Sequence, residues 1–228
     1  MIAVVVLLSA TFLSHCSFAF GWKRTIVFLI VSIILPYFSE VIGLRFGIPF
    51  GRYSYTGYLG PVLPFGLPIY VMISWVLLLY SGLFVGEALG MIFPILHGIL
   101  PQLILVSLLM VAVDAIIDPI AVKIGHWVWQ KPGKWFGIPF QNFFGWFLTA
   151  LVTLYVFMIA SSGSPAQSQP EPRWLYFLPV LMFSLLSFQF IGLLRKLSLG
   201  KLVPLALLLA IGMLGIYYFV MVQGNSST

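Results

Sequence analysis

Charge is scarce in this chain of 228 residues: Asp, Glu, Lys and Arg make up 7% of it, where a soluble domain carries roughly a quarter. With 61% hydrophobic residues and a mean hydropathy of +1.12, that shortage excludes water as the main solvent. Cysteine is almost missing as well. The single Cys16 lies inside the first apolar run, which leaves no disulfide framework and no Cys-based zinc site. The strict alternation that a membrane barrel needs is absent. No H-E-x-x-H, G-x-S-x-G or Walker sequence occurs, so zinc proteolysis, elbow-type hydrolysis and P-loop chemistry have no support. The last apolar segment has no Lys at its middle, Lys201 standing at its edge, so a retinal-type Schiff base finds no place.

What is present is a series of apolar runs, each long enough to cross a hydrocarbon core of about 30 Å as a helix. They predict an all-α, polytopic integral membrane protein with about seven transmembrane helices, forming one transmembrane domain over residues 1–228. The expected segments are about Met1 to Phe20, Thr25 to Ile42, Leu67 to Gly86, Ile92 to Val122, Phe140 to Ala160, Trp174 to Leu194 and Leu202 to Val222. The first lacks a basic start, and Leu13-Ser14-His15-Cys16 is a poor lipobox, so it reads as a spanning helix rather than a signal peptide. Two aromatic stretches at about 43–66 and 123–139, and a Ser-, Pro- and Gln-rich linker at about 161–173, interrupt the pattern.

The net charge of +6 forms no dense basic face, so it speaks for topology rather than nucleic acid. Loops after the second, fourth and sixth segments hold Arg45, Arg52, Lys123, Lys131, Lys134, Arg195, Lys196 and Lys201, against Lys23, Arg24 and Arg173 in the others. The positive-inside rule then predicts a multi-pass protein of the cell membrane with a cytoplasmic N-terminus, an outside C-terminus and both aromatic loops on the cytoplasmic side. A short echo links these loops, Gly47-Ile48-Pro49-Phe50 and Gly137-Ile138-Pro139-Phe140; interrupted segments of this kind mark working sites in membrane proteins built from repeats.

Only five residues are acidic. Glu40, Asp114 and Asp118 stand at or near segment ends whose loops share one face, and an ionisable group there is a functional candidate because burying its charge is costly. Asp114 and Asp118 are four apart, so a helix projects both from one face. Two like charges so close in a low-dielectric site do not both ionise easily, which makes one of them a candidate carboxylic acid. The bland alternative is that Arg45, Arg52 or Lys123 pairs with these groups to fix loop geometry. Pro119 is expected to help end the helix at Asp118. Around the acids lie Tyr53, Tyr55, Tyr58, Trp127, Trp129, Trp135, Phe136 and Trp146; such rings stabilise a nearby cation, although aromatic residues also gather at membrane interfaces. His126 is a lone loop histidine, and His15 and His97 have no acidic neighbours in sequence.

Several motifs, taken in order, resemble the CruF-type carotenoid biosynthesis proteins, the integral-membrane carotenoid 1,2-hydratases that include bisanhydrobacterioruberin hydratases. They are Glu40-Val-Ile-Gly43, Gly47-Ile-Pro-Phe-Gly51 with Tyr53 and Tyr55, Gly60-Pro61, Asp114-Ala-Ile-Ile-Asp118-Pro119, Trp127-Val-Trp129 and Phe136-Gly-Ile-Pro-Phe-Gln-Asn142-Phe-Phe-Gly-Trp146. The resemblance runs over roughly residues 36 to 150. It implies addition of water across the terminal 1,2 double bond of an acyclic carotenoid end, with a carboxylic acid delivering the proton and water capturing the tertiary carbocation. Neither a metal nor another cofactor is called for. On this reading one of Asp114 and Asp118 is the acid, the other or Glu40 orients water, and Asn142 helps hold it. Tyr53, Tyr55, Trp127 and Trp129, with Arg52, form the substrate-binding group. The partners implied are a lipid-soluble carotenoid, the bilayer and other enzymes of carotenoid biosynthesis.

Rival readings use the same residues. A carotenoid-end cyclase shares the protonation but quenches the cation internally. A prenyltransferase would need Asp-rich clusters for Mg²⁺ and diphosphate, and only one D-x-x-x-D occurs. A proton-coupled transporter needs acids along a path to both faces, whereas the opposite side offers only Glu87 and Glu171.

Overall fold

The computed structural model describes residues 2–162 and 171–225, with side chains described over 10–162 and 171–222; the expected linker at 161–173 falls largely outside them. In a hydrocarbon solvent every backbone N–H and C=O must be satisfied within the chain, and the helix does so locally. The apolar runs accordingly form α1 (Ile2–Phe46), α2 (Ile69–Ile92), α3 (Ile99–Lys123), α4 (Phe140–Ser161), α6 (Leu178–Lys196) and α7 (Val203–Asn225), with the one-turn α5 (Arg173–Tyr176) between α4 and α6. Six of these helices are long and apolar enough to cross a membrane.

The first two expected segments are the two arms of α1. As one straight rod its 45 residues would run about 67 Å, twice a hydrocarbon core. The rod is broken at Gly21, whose φ of 73° and ψ of 157° suit a residue without a Cβ. Rings of Phe20 and Phe28 meet at 5.8 Å across the break, where eight residues of helix would separate them by about 12 Å along the axis. Cys16 reaches Thr25 in the same way.

α1 to α4 pack as a ring: α1 against α2 and α4, α3 against α2 and α4. α6 and α7 pair with each other and lean on α2. α2 and α3 are the most enclosed helices, and their closeness has a sequence cause. Gly82, Gly86 and Gly90 repeat every fourth residue along one face of α2, and Cβ atoms there would lie 2.7, 2.5 and 2.8 Å from Val106 or Gln102 of α3. In a bilayer, where burying apolar surface brings no gain, such small-residue stripes let helix backbones approach. Gln102 then bridges the carbonyls of Gly86 and Leu96, at 2.9 Å each.

The two aromatic loops lie at one end of this ring, and they are not wholly irregular. β1 (Tyr53–Tyr55) pairs antiparallel with β4 (Trp127–Trp129), Tyr53 opposite Trp129 and Tyr55 opposite Trp127. The pairing is extended by Thr56 N–H to the His126 carbonyl, 3.1 Å, and Gln130 N–H to the Arg52 carbonyl, 2.9 Å. Because strand side chains alternate, all four rings turn to the helices while Ser54 and Val128 face out. A second small pair, β2 (Val62–Leu63) with β3 (Leu67–Pro68), finishes the first loop. The GIPF echo packs together here, Gln141 Nε2 donating to the Gly47 carbonyl at 2.9 Å, but its copies sit in opposite surroundings: Phe50 and Ile138 are buried, Phe140 and Ile48 exposed.

One local expectation is corrected. Pro119 does not end α3, which continues to Lys123. A proline cannot donate to the carbonyl four residues back, and here the indole N–H of Trp135 supplies the missing donor to Ala115 O, at 3.0 Å.

Candidate active site

At the loop end of the ring, α1 to α4, Phe50 and the ribbon surround a cavity of about 40 Å³ lined by Glu40, Val71, Asp114, Asp118, Asn142 and the rings of Phe50, Tyr53, Tyr55, Trp127, Trp129 and Trp146. α3 carries Asp114 and Asp118 one turn apart, so both project to the same side. α4 begins at Phe140 after Pro139, which places Asn142 in its first turn, facing them. Its amide nitrogen donates to Asp114 Oδ2 and to Asp118 Oδ2, each at 2.7 Å. Trp127 Nε1 donates to Asp118 Oδ1 at 2.6 Å. The Trp129 indole also interacts with Asp118, yet its buried N–H completes no hydrogen bond.

Glu40 comes from α1 and is held separately. Tyr53 O–H donates to its Oε2, as does Tyr55 O–H at 3.1 Å, and Trp75 Nε1 of α2 donates to Oε1 at 3.0 Å. Trp75 in turn stacks on Trp146, ring centroids 4.1 Å apart. Burial pushes the Tyr53 and Tyr55 phenols well above their usual range, and the neighbouring Glu40 carboxylate adds to this. Both therefore remain O–H donors.

Glu40, Asp114, Asp118 and Asn142 are 4%, 1%, 1% and 2% exposed. Buried charges are usually paired with an opposite charge. Among the described residues no Lys or Arg stands against any of the three acids, which removes the loop-fixing ion pairs with Arg45, Arg52 or Lys123. Their partners are neutral donors only. Such a set can hold and move a proton while surrounding a reacting centre with ring faces.

Of the residues singled out from sequence, Glu40, Asp114, Asp118, Asn142, Tyr53, Tyr55, Trp127 and Trp129 are thus brought around one cavity. Arg52 is not: it is exposed, next to Tyr53 on the outward face of the ribbon. His126 gives its backbone carbonyl to Thr56, and burial holds its imidazole below the usual range. His15 bridges Tyr80 Oη and the Leu175 carbonyl, both at 2.6 Å, and His97 lines a different cavity near Arg24. Sequence reasoning missed Trp75, which sits in an ordinary apolar run; its polar role shows only when α2 packs against Glu40.

This arrangement defines a multi-pass helical membrane protein with a buried, cation-free carboxylate cluster under an aromatic ribbon. The chain belongs to the family of carotenoid biosynthesis proteins, whose sequence pattern matches residues 1–215. It is 32% identical over 143 residues to the bisanhydrobacterioruberin hydratase of Haloarcula japonica, a match covering 59% of this chain and 45% of that protein. The chain spans about half the length of that relative. No solved structure matches it.

Proposed function

We propose that the chain is a carotenoid hydratase, adding water across the terminal 1,2 double bond of an acyclic carotenoid end. The observation that carries this reading is the Asp114–Asn142–Asp118 bridge, buried without a cation beneath four aromatic rings. One of the two aspartyl groups, in its acid form, gives its proton to the less substituted alkene carbon. The positive charge then rests on the tertiary carbon, where ring faces stabilise it by about 0.5–2 kcal/mol per contact. A water positioned by the second aspartate or Glu40, and by the amide oxygen of Asn142, forms the new C–O bond. It returns a proton to the carboxylate and regenerates the acid. One water is consumed, no electrons are exchanged, and the product is a tertiary alcohol, so the balance needs no redox partner.

The cavity suits this division of labour. A buried water needs about 10–15 Å³, and about 40 Å³ leaves room for water beside the acids. A cyclase would profit from excluding it. The positive-inside count favours placing this end of the bundle on the cytoplasmic face of the cell membrane, and the substrate arrives through the lipid.

The test is co-expression in a bacterium that accumulates lycopene, with chromatography and mass spectrometry of the pigments. A product heavier by one or two waters is expected. An isomer of unchanged mass would instead establish cyclisation, and failure to hydrate any acyclic carotenoid offered would refute the reading.

A further inference from the structure

The acid cavity has room for water but not for an isoprene unit, so the reacting end of a carotenoid must displace part of its wall. A groove of about 320 Å³ runs between α1 and α4, with Phe38, Ile42 and Ile48 on one side and Leu148 and Val152 on the other. All five are exposed, so the groove opens toward lipid. Its polar floor is self-contained, because Ser39 and Thr149 hydrogen-bond each other at 2.7 Å. Nothing in it asks for a polar ligand.

Adjacent residues line the groove and the acid cavity at two places along the chain. Ser39 lines the groove and Glu40 the cavity; Pro49 lines the groove and Phe50 the cavity. Between them stands the Phe50 ring, wedged where two glycines leave space. A Cβ on Gly43 of α1 would lie 2.8 Å from it, and a Cβ on Gly145 of α4 would lie 2.6 Å from it. The larger cavities beside His15, beside Arg24 and between α6 and α7 have no such junction with the acids.

We propose that the α1/α4 groove is the binding track for the polyene chain, and that Phe50 is the partition its terminal isoprene displaces to reach Asp114 and Asp118. This rests on the hydration reading above. An apolar, lipid-facing channel that ends on an acid cavity fits a long hydrocarbon whose tip alone reacts. The Phe50 ring is held by ring contacts with Tyr53 and Trp75 and by van der Waals packing, so it can swing aside without breaking a hydrogen bond.

Lycopene is the probe, with the full chain in phosphatidylcholine nanodiscs. Val152→Trp and Leu148→Trp each fill the groove, and Leu214→Trp fills the lipid-facing cavity between α6 and α7 as a control. Co-purified lycopene and quenching of indole fluorescence by the polyene are read, together with thermal unfolding to establish that each variant is folded. The groove variants are expected to retain at least tenfold less lycopene than the wild type, the control the same amount. Phe50→Leu, which thins the partition, is expected to speed the onset of quenching severalfold. If the wild type hydrates lycopene and the groove variants bind and hydrate it equally well, the track is overturned and the hydration reading stands. If the wild type neither binds nor hydrates lycopene or any other acyclic carotenoid offered, both fall. An unchanged onset in Phe50→Leu removes Phe50 as the partition.

Discussion

Asn142→Leu keeps the volume of the side chain and removes the amide that joins Asp114 to Asp118. The native nitrogen makes two bonds of 2.7 Å, lengths typical of hydrogen bonds to charged groups. With one aspartyl group ionised and the other in its acid form, the first bond contributes about 1.5–3 kcal/mol and the second about 0.5–1.5 kcal/mol. Part of that is recovered when the two carboxyl groups relax toward each other, so a loss of about 2–4 kcal/mol in transition-state stabilisation is expected. That corresponds to a drop of roughly 30- to 1000-fold in turnover. The assay is conversion of lycopene by purified chain in nanodiscs, scored as hydrated product per protein, beside gel filtration and thermal unfolding. A double-mutant cycle with Trp127→Phe, which deletes the other donor to Asp118, gives a sharper reading: if the amide and the indole act through the same carboxyl group, the combined loss is less than the sum of the two. A folded Asn142→Leu variant with wild-type turnover, or losses that simply add, would refute the bridge as part of the acid.

Asp114→Asn and Asp118→Asn are each expected to abolish product formation while leaving the protein monodisperse in detergent; wild-type turnover in both would remove the acid assignment. Trp127→Phe keeps the ring but deletes the donor to Asp118, and a loss of about tenfold, near 1.4 kcal/mol, is expected in the same assay. Trp75→Phe removes one of the three donors to Glu40, and a smaller loss than that of either Asp variant is expected, since two tyrosines remain. Gly86→Leu drives a side chain into Gln102 and Val106; overpacking of this kind costs about 1–3 kcal/mol and is expected to lower the unfolding temperature in detergent.

The helices were legible because hydropathy alone dictates them: α4 begins at Phe140 where the apolar run begins, and α2, α3 and α7 follow their runs within a few residues at most ends. The spacing of Asp114 and Asp118 already placed both on one helical face. The sidedness of Lys and Arg put the two aromatic loops together, and the β1–β4 pairing does place them at one end. What sequence could not show depends on partners distant along the chain. Strands of three residues carry too little pattern to be read, so Tyr53, Tyr55, Trp127 and Trp129 were a scatter of rings rather than one face of a ribbon. Trp75 looked like any apolar residue until Glu40 stood opposite. Pro119 looked like a terminator because its substitute donor, Trp135, is sixteen residues away. Arg52, grouped with the substrate-binding residues, turns outward with the alternation of the strand.

The Trp135–Ala115 bond has a consequence for how this protein can vary. Trp135 is 41% exposed and touches neither the cavity nor its acids, so it looks dispensable. Yet it repairs the helix at the carbonyl next to Asp114, and only because Pro119 left that carbonyl bare. The two residues are therefore bound in their histories: Pro119→Ala restores the internal donor and frees position 135 to drift, while loss of the indole with Pro119 in place loosens the turn that aims both aspartates. A surface position becomes permissible or forbidden according to one backbone nitrogen deep in the bundle.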